Sequence, residues 1–334
     1  MVLSSKKRAV TALLVNISRL LLAAVLLVSG FVKAVDPMGL SYKLGDYAAA
    51  FGVVDIDDGW LLFASAMLSA AEFILGVLLL MGVYKRVVTT LVFIFFLFFT
   101  PFTFILALWN PVRDCGCFGD AVVLSNWETF WKNVVLLALS IVVLKWRKRL
   151  FPLVTVRFDW VIALYGFLYI FGICIYSYRD LPIFDFRPYH VGADIQQGMN
   201  VPEGEKLTTY ETRFLMTKDG EEKEFTLENY PDSTWTFVDS KTVVKEKGYE
   251  PLIHDFSMIR WEDGEDITEQ VLNDEGYTFL LVAHQLSLAD DSSMDLINEL
   301  YDYSLTNGYA FYCLTSSEDE DIIKWQESTG AEYP

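Results

Sequence analysis

The chain has 334 residues, of which 53% are apolar and 15% aromatic, and it carries a formal net charge of −18. A mean hydropathy of +0.32 is too high for a purely soluble acidic protein. Charge is divided unevenly, with 15 Lys+Arg against 10 Asp+Glu in residues 1–177 and 11 against 34 in residues 178–334. The acidic half excludes a nucleic-acid surface, and four cysteines with no glycine period or sustained heptad exclude disulfide-dense, collagen-like and coiled-coil scaffolds.

Five stretches are apolar enough to cross a hydrocarbon layer of ~30 Å. They run Val10–Ala34, Trp60–Gly82, Val87–Trp109, Trp127–Leu144 and Trp160–Tyr178. The first keeps Arg19 and has no small-residue cleavage site before Lys33, so it reads as a retained signal anchor. Ten basic residues flank the spans on one side: Lys6, Lys7, Arg8, Lys85, Arg86, Lys145, Arg147, Lys148, Arg149 and Arg157. Only Lys43 and Arg113 lie in the loops on the other, at 35–59 and 110–126. Basic residues stay cytoplasmic, which predicts a plasma-membrane protein with its N-terminus inside, and everything after Tyr178 outside.

Residues 179–206 are rich in Pro, Gly and charge and read as an exposed linker. A β-rich segment at 207–250 follows, with strands TYETRFLM, EKEFTL and STWTFVDSKTVV and a turn at Lys218–Gly220. A last unit, 251–334, holds strands at Tyr277–Ala283 and Tyr309–Leu314. Between them runs a helix capped by Asp291 and stopped by Asn307-Gly308, and a further helix spans Glu318–Ser328. Strand, crossover helix and strand predict a βαβ unit.

The most informative motif is Asp114-Cys115-Gly116-Cys117-Phe118-Gly119-Asp120 between spans three and four. Two cysteines one residue apart bridge only across a sharp bend, which Gly116 permits. So small a ring is strained, and strained disulfides are more oxidising and fit redox exchange. An inert brace or a packed thiol pair is the competing reading. A metal half-site is disfavoured because no His lies nearby. Arg113 lowers the thiol pKa values while Asp114 and Asp120 raise them, so the nucleophile stays open.

At these residues the chain resembles a known family. Arg19-Leu-Leu-Leu, Ser29-Gly30-Phe-Val-Lys33-Ala, Asp36-Pro37, Ala71-Glu72 through Gly76 to Gly82, and the CGCFGD loop are similar to the DoxX/MauE group of redox-associated membrane proteins. The resemblance spans residues 10–145 and implies a four-helix bundle with span five added. The CGCFG-loop branch of that group implies disulfide handling during maturation of envelope proteins. Pro251–Ser257, Asp263–Ile267 and Tyr277–His284 resemble the opening of a thioredoxin-like fold, but Ala283–Ser287 stands where the active cysteines would be. The fold class expected is thus a membrane all-α bundle followed by an extracytoplasmic α/β thioredoxin-like domain without its cysteines, either truncated at Pro334 or a minimal variant.

An ionised Glu72 in mid-span costs at least ~2.5–3.5 kcal/mol, so it is expected to be protonated or paired with Arg19 or Lys33, as a proton relay, a quinone contact or a packing bond. Lys33 and Lys132 are expected to snorkel towards span ends. Cys174 lies roughly 21 Å along span five, near the depth of the Cys-Gly-Cys loop. It is a candidate resolving thiol, or a small apolar packing residue. Cys115 and Cys117 are the candidate redox pair, with Arg113, Asp114, Gly116, Gly119 and Asp120 around them. Quinone is the cofactor and envelope dithiols or disulfides are the partners of that reading. A non-enzymatic membrane scaffold is its rival.

Overall fold

The computed structural model describes residues 2–53, 56–110, 112, 116–218, 221–226, 229, 231, 234–246 and 248–334. It divides into two units, Met1–Val191 and Gly192–Pro334.

The first unit is helical: α1 (Val2–Val35), α2 (Pro37–Ala50), α3 (Asp58–Met81), α4 (Lys85–Trp109), α5 (Asn126–Lys145) and α6 (Asp159–Arg179). All but α2 are long and apolar enough to span a membrane, and the protein is a multi-pass membrane protein. Helices α1, α3, α4 and α5 form the bundle, and α6 lies against α1 and α3. Their shared core includes Val15, Leu22, Leu26, Leu79, Val92, Phe96 and Val143. Leu13, Leu21, Phe98 and Leu168 stay exposed on the outer surface, as contact with lipid requires. Buried hydroxyls of Ser69, Thr89, Thr100 and Thr103 donate to carbonyls one turn back in their own helices, so they are satisfied without water.

Helices α1 and α3 cross on glycine. A Cβ at Gly30 would sit 2.8 Å from the Ser69 carbonyl oxygen, and one at Gly76 would sit 2.9 Å from the Leu27 amide. At the basic end, the 147–153 connector is pinned to the helix ends. The Arg19 Nη1 donates to the Phe151 carbonyl, Lys85 Nζ to the Leu150 carbonyl at 2.6 Å, and the Leu153 amide to the Met81 carbonyl at 2.9 Å.

Helix α2 corrects the reading of 35–59 as loop throughout. Asp36 caps it by accepting from the Gly39 amide at 2.9 Å, and Pro37 occupies the first turn, where its missing N–H costs nothing. Residues 184–187, read as part of an exposed linker, pack on this unit, with the Phe184 ring 6.1 Å from Phe31.

The second unit begins with the short helix α7 (Ile195–Met199) and a three-stranded antiparallel sheet. Its strands β1 (Thr209–Lys218), β2 (Glu221–Thr226) and β3 (Thr236–Glu246) stand in the order β2-β1-β3. After the short α8 (Thr268–Leu272), strands β4 (Thr278–Val282) and β5 (Ala310–Leu314) pair in parallel, Phe279 opposite Phe311, across α9 (Met294–Asn307). Parallel neighbours need such a crossover. Ser293, rather than Asp291, holds the N-cap position of α9, and Gly308 ends the helix at φ 72°. Helix α10 (Asp319–Thr329) packs its Trp325 with Tyr301, Phe311 and Tyr333 in a small core.

Candidate functional site

The site is built where α1, α3 and α5 converge beneath the Cys-Gly-Cys loop. Asn126, at the start of α5, donates to Asn110 Oδ1 and to the Val112 carbonyl, both at 2.8 Å, tying the loop base to the end of α4. Helix α5 is fixed there by a capping box, in which Ser125 Oγ accepts from the Glu128 amide and Glu128 Oε2 accepts from the Ser125 amide at 2.9 Å. Gly116 and Gly119 take left-handed φ values of 59° and 52°, closed by a 3.1 Å bond from the Gly119 amide to the Gly116 carbonyl. That turn presents Cys117 and Phe118 to the bundle.

Cys117 is disulfide-bonded, whereas Cys174 and Cys313 are free thiols. Arg113, Asp114 and Cys115 lie outside the described residues, as does the Asp120 side chain. Directly under Cys117 sits a polar cluster that is nearly dry. Lys33 Nζ donates to Glu72 Oε1 at 2.6 Å and to Ser29 Oγ at 3.1 Å; Ser29 Oγ lies 2.6 Å from Glu72 Oε2 and 2.8 Å from the Cys117 carbonyl oxygen. The Lys33 and Glu72 side chains are 7% and 4% exposed. Ser29 and Lys33 are one turn apart on α1, which is how a single helix face meets Glu72 on α3 at two points.

Of the two cations considered for Glu72, Lys33 is therefore the partner, and Arg19 is occupied at the opposite end of the bundle. Lys33 does not snorkel. Lys132, partly exposed, reaches towards the loop at the outer end of its span, where its ammonium rests 4.5 Å from the centroid of the Phe118 ring. Lys132, Cys117, Glu72, Lys33, Ser29 and Asn133 together line a cavity of about 40 Å³, walled on its apolar side by Phe95, Phe96 and Phe99 of α4.

A second cavity, about 230 Å³, opens on the other side of Lys33. It is lined by Asp36, Tyr42, Lys43 and Asp46 from α2 and its cap, Gly116 and Gly119 from the loop, and Phe184–Arg187. Arg187 donates to Asp185 through Nε at 2.8 Å and through Nη2, and these bonds hold the Asp185 carboxyl below the usual carboxylate range. Sequence reasoning missed Ser29 as a contact and the 184–187 segment as a wall. The signals for the first were its i,i+4 spacing to Lys33 and its place in the Ser29–Ala34 stretch that carries the family resemblance.

Cys174 does not line this small cavity. It is buried against Ala34, Ala70 and Ile170, and the surrounding side chains are apolar. Cys313, on β5, is half-buried, and burial raises its thiol pKa.

Residues 11–146 match the family model described as methylamine utilisation protein MauE. The MauE match takes in most of α1, all of α2–α4, the Cys-Gly-Cys loop and α5, so it contains every residue of the buried cluster. Residues 210–247, almost the whole of the three-stranded sheet, match a model described as a domain of unknown function, DUF8463. No curated protein and no solved structure matches the chain.

Proposed function

We propose that the MauE-matched bundle is a plasma-membrane thiol–disulfide redox unit. In this reading Cys115 and Cys117 form one redox pair on the extracytoplasmic face, and exchange with dithiols or disulfides of envelope proteins during their maturation. The bundle passes the electrons to or from a membrane carrier, for which quinone is the candidate. The orientation rests on the ten basic residues at one end against two at the other. The C-terminal unit, read as a thioredoxin-like piece without cysteines at Ala283–Ser287, docks the partner or shields the loop.

The observation that carries this reading is that disulfide-bonded Cys117 lines a small cavity over a buried ionisable cluster, while its loop neighbours Gly116 and Gly119 line the larger cleft. A bridge that only braces a loop has no use for a lysine and a glutamate buried beneath it, since taking ionisable groups out of water costs free energy whatever their charge state. The deciding experiment is the reduction potential of the Cys115–Cys117 pair in lipid-embedded protein, with and without added quinone. A pair that cycles near the potential of its compartment and responds to quinone supports the redox unit. A pair that resists reduction under both conditions makes the protein a scaffold whose outer unit binds another envelope protein.

A further inference from the structure

The hydroxyl of Ser29 has one hydrogen to give and two lone pairs to receive with. Three polar atoms surround it: Lys33 Nζ at 3.1 Å, Glu72 Oε2 at 2.6 Å and the Cys117 carbonyl oxygen at 2.8 Å. The ammonium can only donate and the carbonyl can only accept. If Glu72 is a carboxylate, it too can only accept, and the single Ser29 hydrogen must serve two acceptors. At best that hydrogen is shared, so at least one oxygen–oxygen contact below 3 Å is poorly bridged, in a buried site where such a mismatch is costly. If Glu72 carries a proton on Oε2, every contact is satisfied. Glu72 donates to Ser29, Ser29 donates to Cys117, and Lys33 donates to Ser29 and to Glu72 Oε1 at 2.6 Å.

We propose that Glu72 is the proton-exchanging group of the Cys117 disulfide, protonated while the disulfide is closed and ionised once it is reduced. This rests on the redox reading above. A partner thiolate attacks the other sulfur of the disulfide, the S–S bond breaks, and Cys117 leaves with the electron pair as a thiolate. Glu72 gives its proton to that thiolate across the cavity both residues line, which at about 40 Å³ has room for one relaying water. The partner's second thiol loses its proton to solvent and attacks the mixed disulfide. The other cysteine is released as a thiolate and takes a proton from solvent. Two electrons have passed from the partner dithiol to the pair, and one of the pair's two protons came from Glu72.

The carboxylate left behind is stabilised by charges already in place. Lys33 on α1 pairs with it, and Lys132 on α5 faces the same cavity, while α4 contributes only phenylalanines to that wall. The Ser29 hydrogen then turns to Glu72. Reoxidation reverses each step.

The test uses the full chain in lipid nanodiscs, reduced with dithiothreitol and followed by infrared difference spectroscopy and by proton uptake in weakly buffered medium. Reduction is expected to remove one carboxylic-acid C=O band and produce a carboxylate band. Glu72→Gln abolishes both changes and takes up about one proton more per pair reduced than the native protein. Ser29→Ala retains the acid band but moves it to higher frequency, because its hydrogen-bond acceptor is gone. No acid band in the native protein or in Ser29→Ala overturns the proposal even if Glu72→Gln does not fold. An acid band that persists through reduction also overturns it, as does a proton count that changes in Lys132→Met and not in Glu72→Gln. Dithiothreitol reduces the disulfide whether or not an envelope partner exists. Failure of the redox reading, seen as no exchange with partner dithiols, is therefore read separately.

Discussion

Replacing Gly30 by alanine tests whether the crossing of α1 and α3 sets the geometry under the loop. The added Cβ would lie 2.5 Å from the Phe73 amide nitrogen, 2.8 Å from the Ser69 carbonyl oxygen and 2.9 Å from the Phe73 Cα. All three are backbone atoms of a packed helix, so no side chain can swing away. Restoring ordinary contact distances of about 3.5 Å forces the helices roughly 0.6–1.0 Å apart, and overpacking of this kind costs about 1–3 kcal/mol. For a unit of this size that corresponds to a melting temperature about 2–12 °C lower. The same displacement acts on the neighbouring residues Ser29 and Glu72, whose 2.6 Å bond would be stretched and weakened. Gly172→Ala in α6 is the matched control, since a Cβ there meets nothing within 4 Å, and alanine is favoured over glycine in a helix by up to ~1 kcal/mol. Thermal unfolding of both variants in nanodiscs decides the matter. If Gly30→Ala melts with Gly172→Ala, the close crossing does not constrain the site.

Single-cysteine labelling at Lys148 and Glu320 with an impermeant reagent is expected to mark position 320 and not 148 in whole cells, with any outer membrane permeabilised; the reverse result inverts the proposed topology. Ser125→Ala removes one arm of the capping box on α5 and is expected to cost about 1 kcal/mol, read as a lower melting temperature. Residues 192–334 are expected to show no dithiol or peroxide reduction above a Cys313→Ser control, because the one thiol there has a raised pKa and is a poor nucleophile at neutral pH. Burial also pushes the Tyr333 hydroxyl up to about 12. Both groups hold their protons more tightly folded than unfolded, so their contribution is complete below the unfolded values of ~8.5 and ~10 and is lost as pH rises through the folded ones. Denaturant titration of the C-terminal unit should therefore give a lower midpoint at pH 10.5 than at pH 7.5, and an unchanged midpoint would refute the assignment.

The membrane helices were legible because span length and apolar composition are properties of single segments, and each ended within a few residues of its expected bounds. Strands β1 to β3 were legible for a similar reason, from alternation and the Lys218–Gly220 turn signal. Helix α2 was hidden because its sequence, PMGLSYKLGDYAAA, has two glycines and little amphipathic pattern; its Asp36-Pro37 start was the usable signal. The Lys33–Glu72 pair was half legible. A carboxylate in mid-span demands a partner, but Arg19 and Lys33 share α1, and the choice depends on which height of that helix crosses α3. Ser29 could not be assigned at all, since a serine near a helix end usually bonds its own backbone, and only the fold brings the loop carbonyl above it.

Lys33 is the partition between two compartments, with the open cleft on one side and the 40 Å³ cavity on the other. A single positive charge shared by two rooms cannot serve both independently. An anionic group arriving in the cleft draws on the same ammonium that stabilises Glu72 when it is ionised, so occupancy outside and charge inside are thermodynamically linked. The linkage is reciprocal: whatever factor a cleft ligand imposes on the ionisation of Glu72, that ionisation imposes on the ligand's affinity. The cleft would then hold and release its occupant according to the charge state behind the wall, with no helix needing to move.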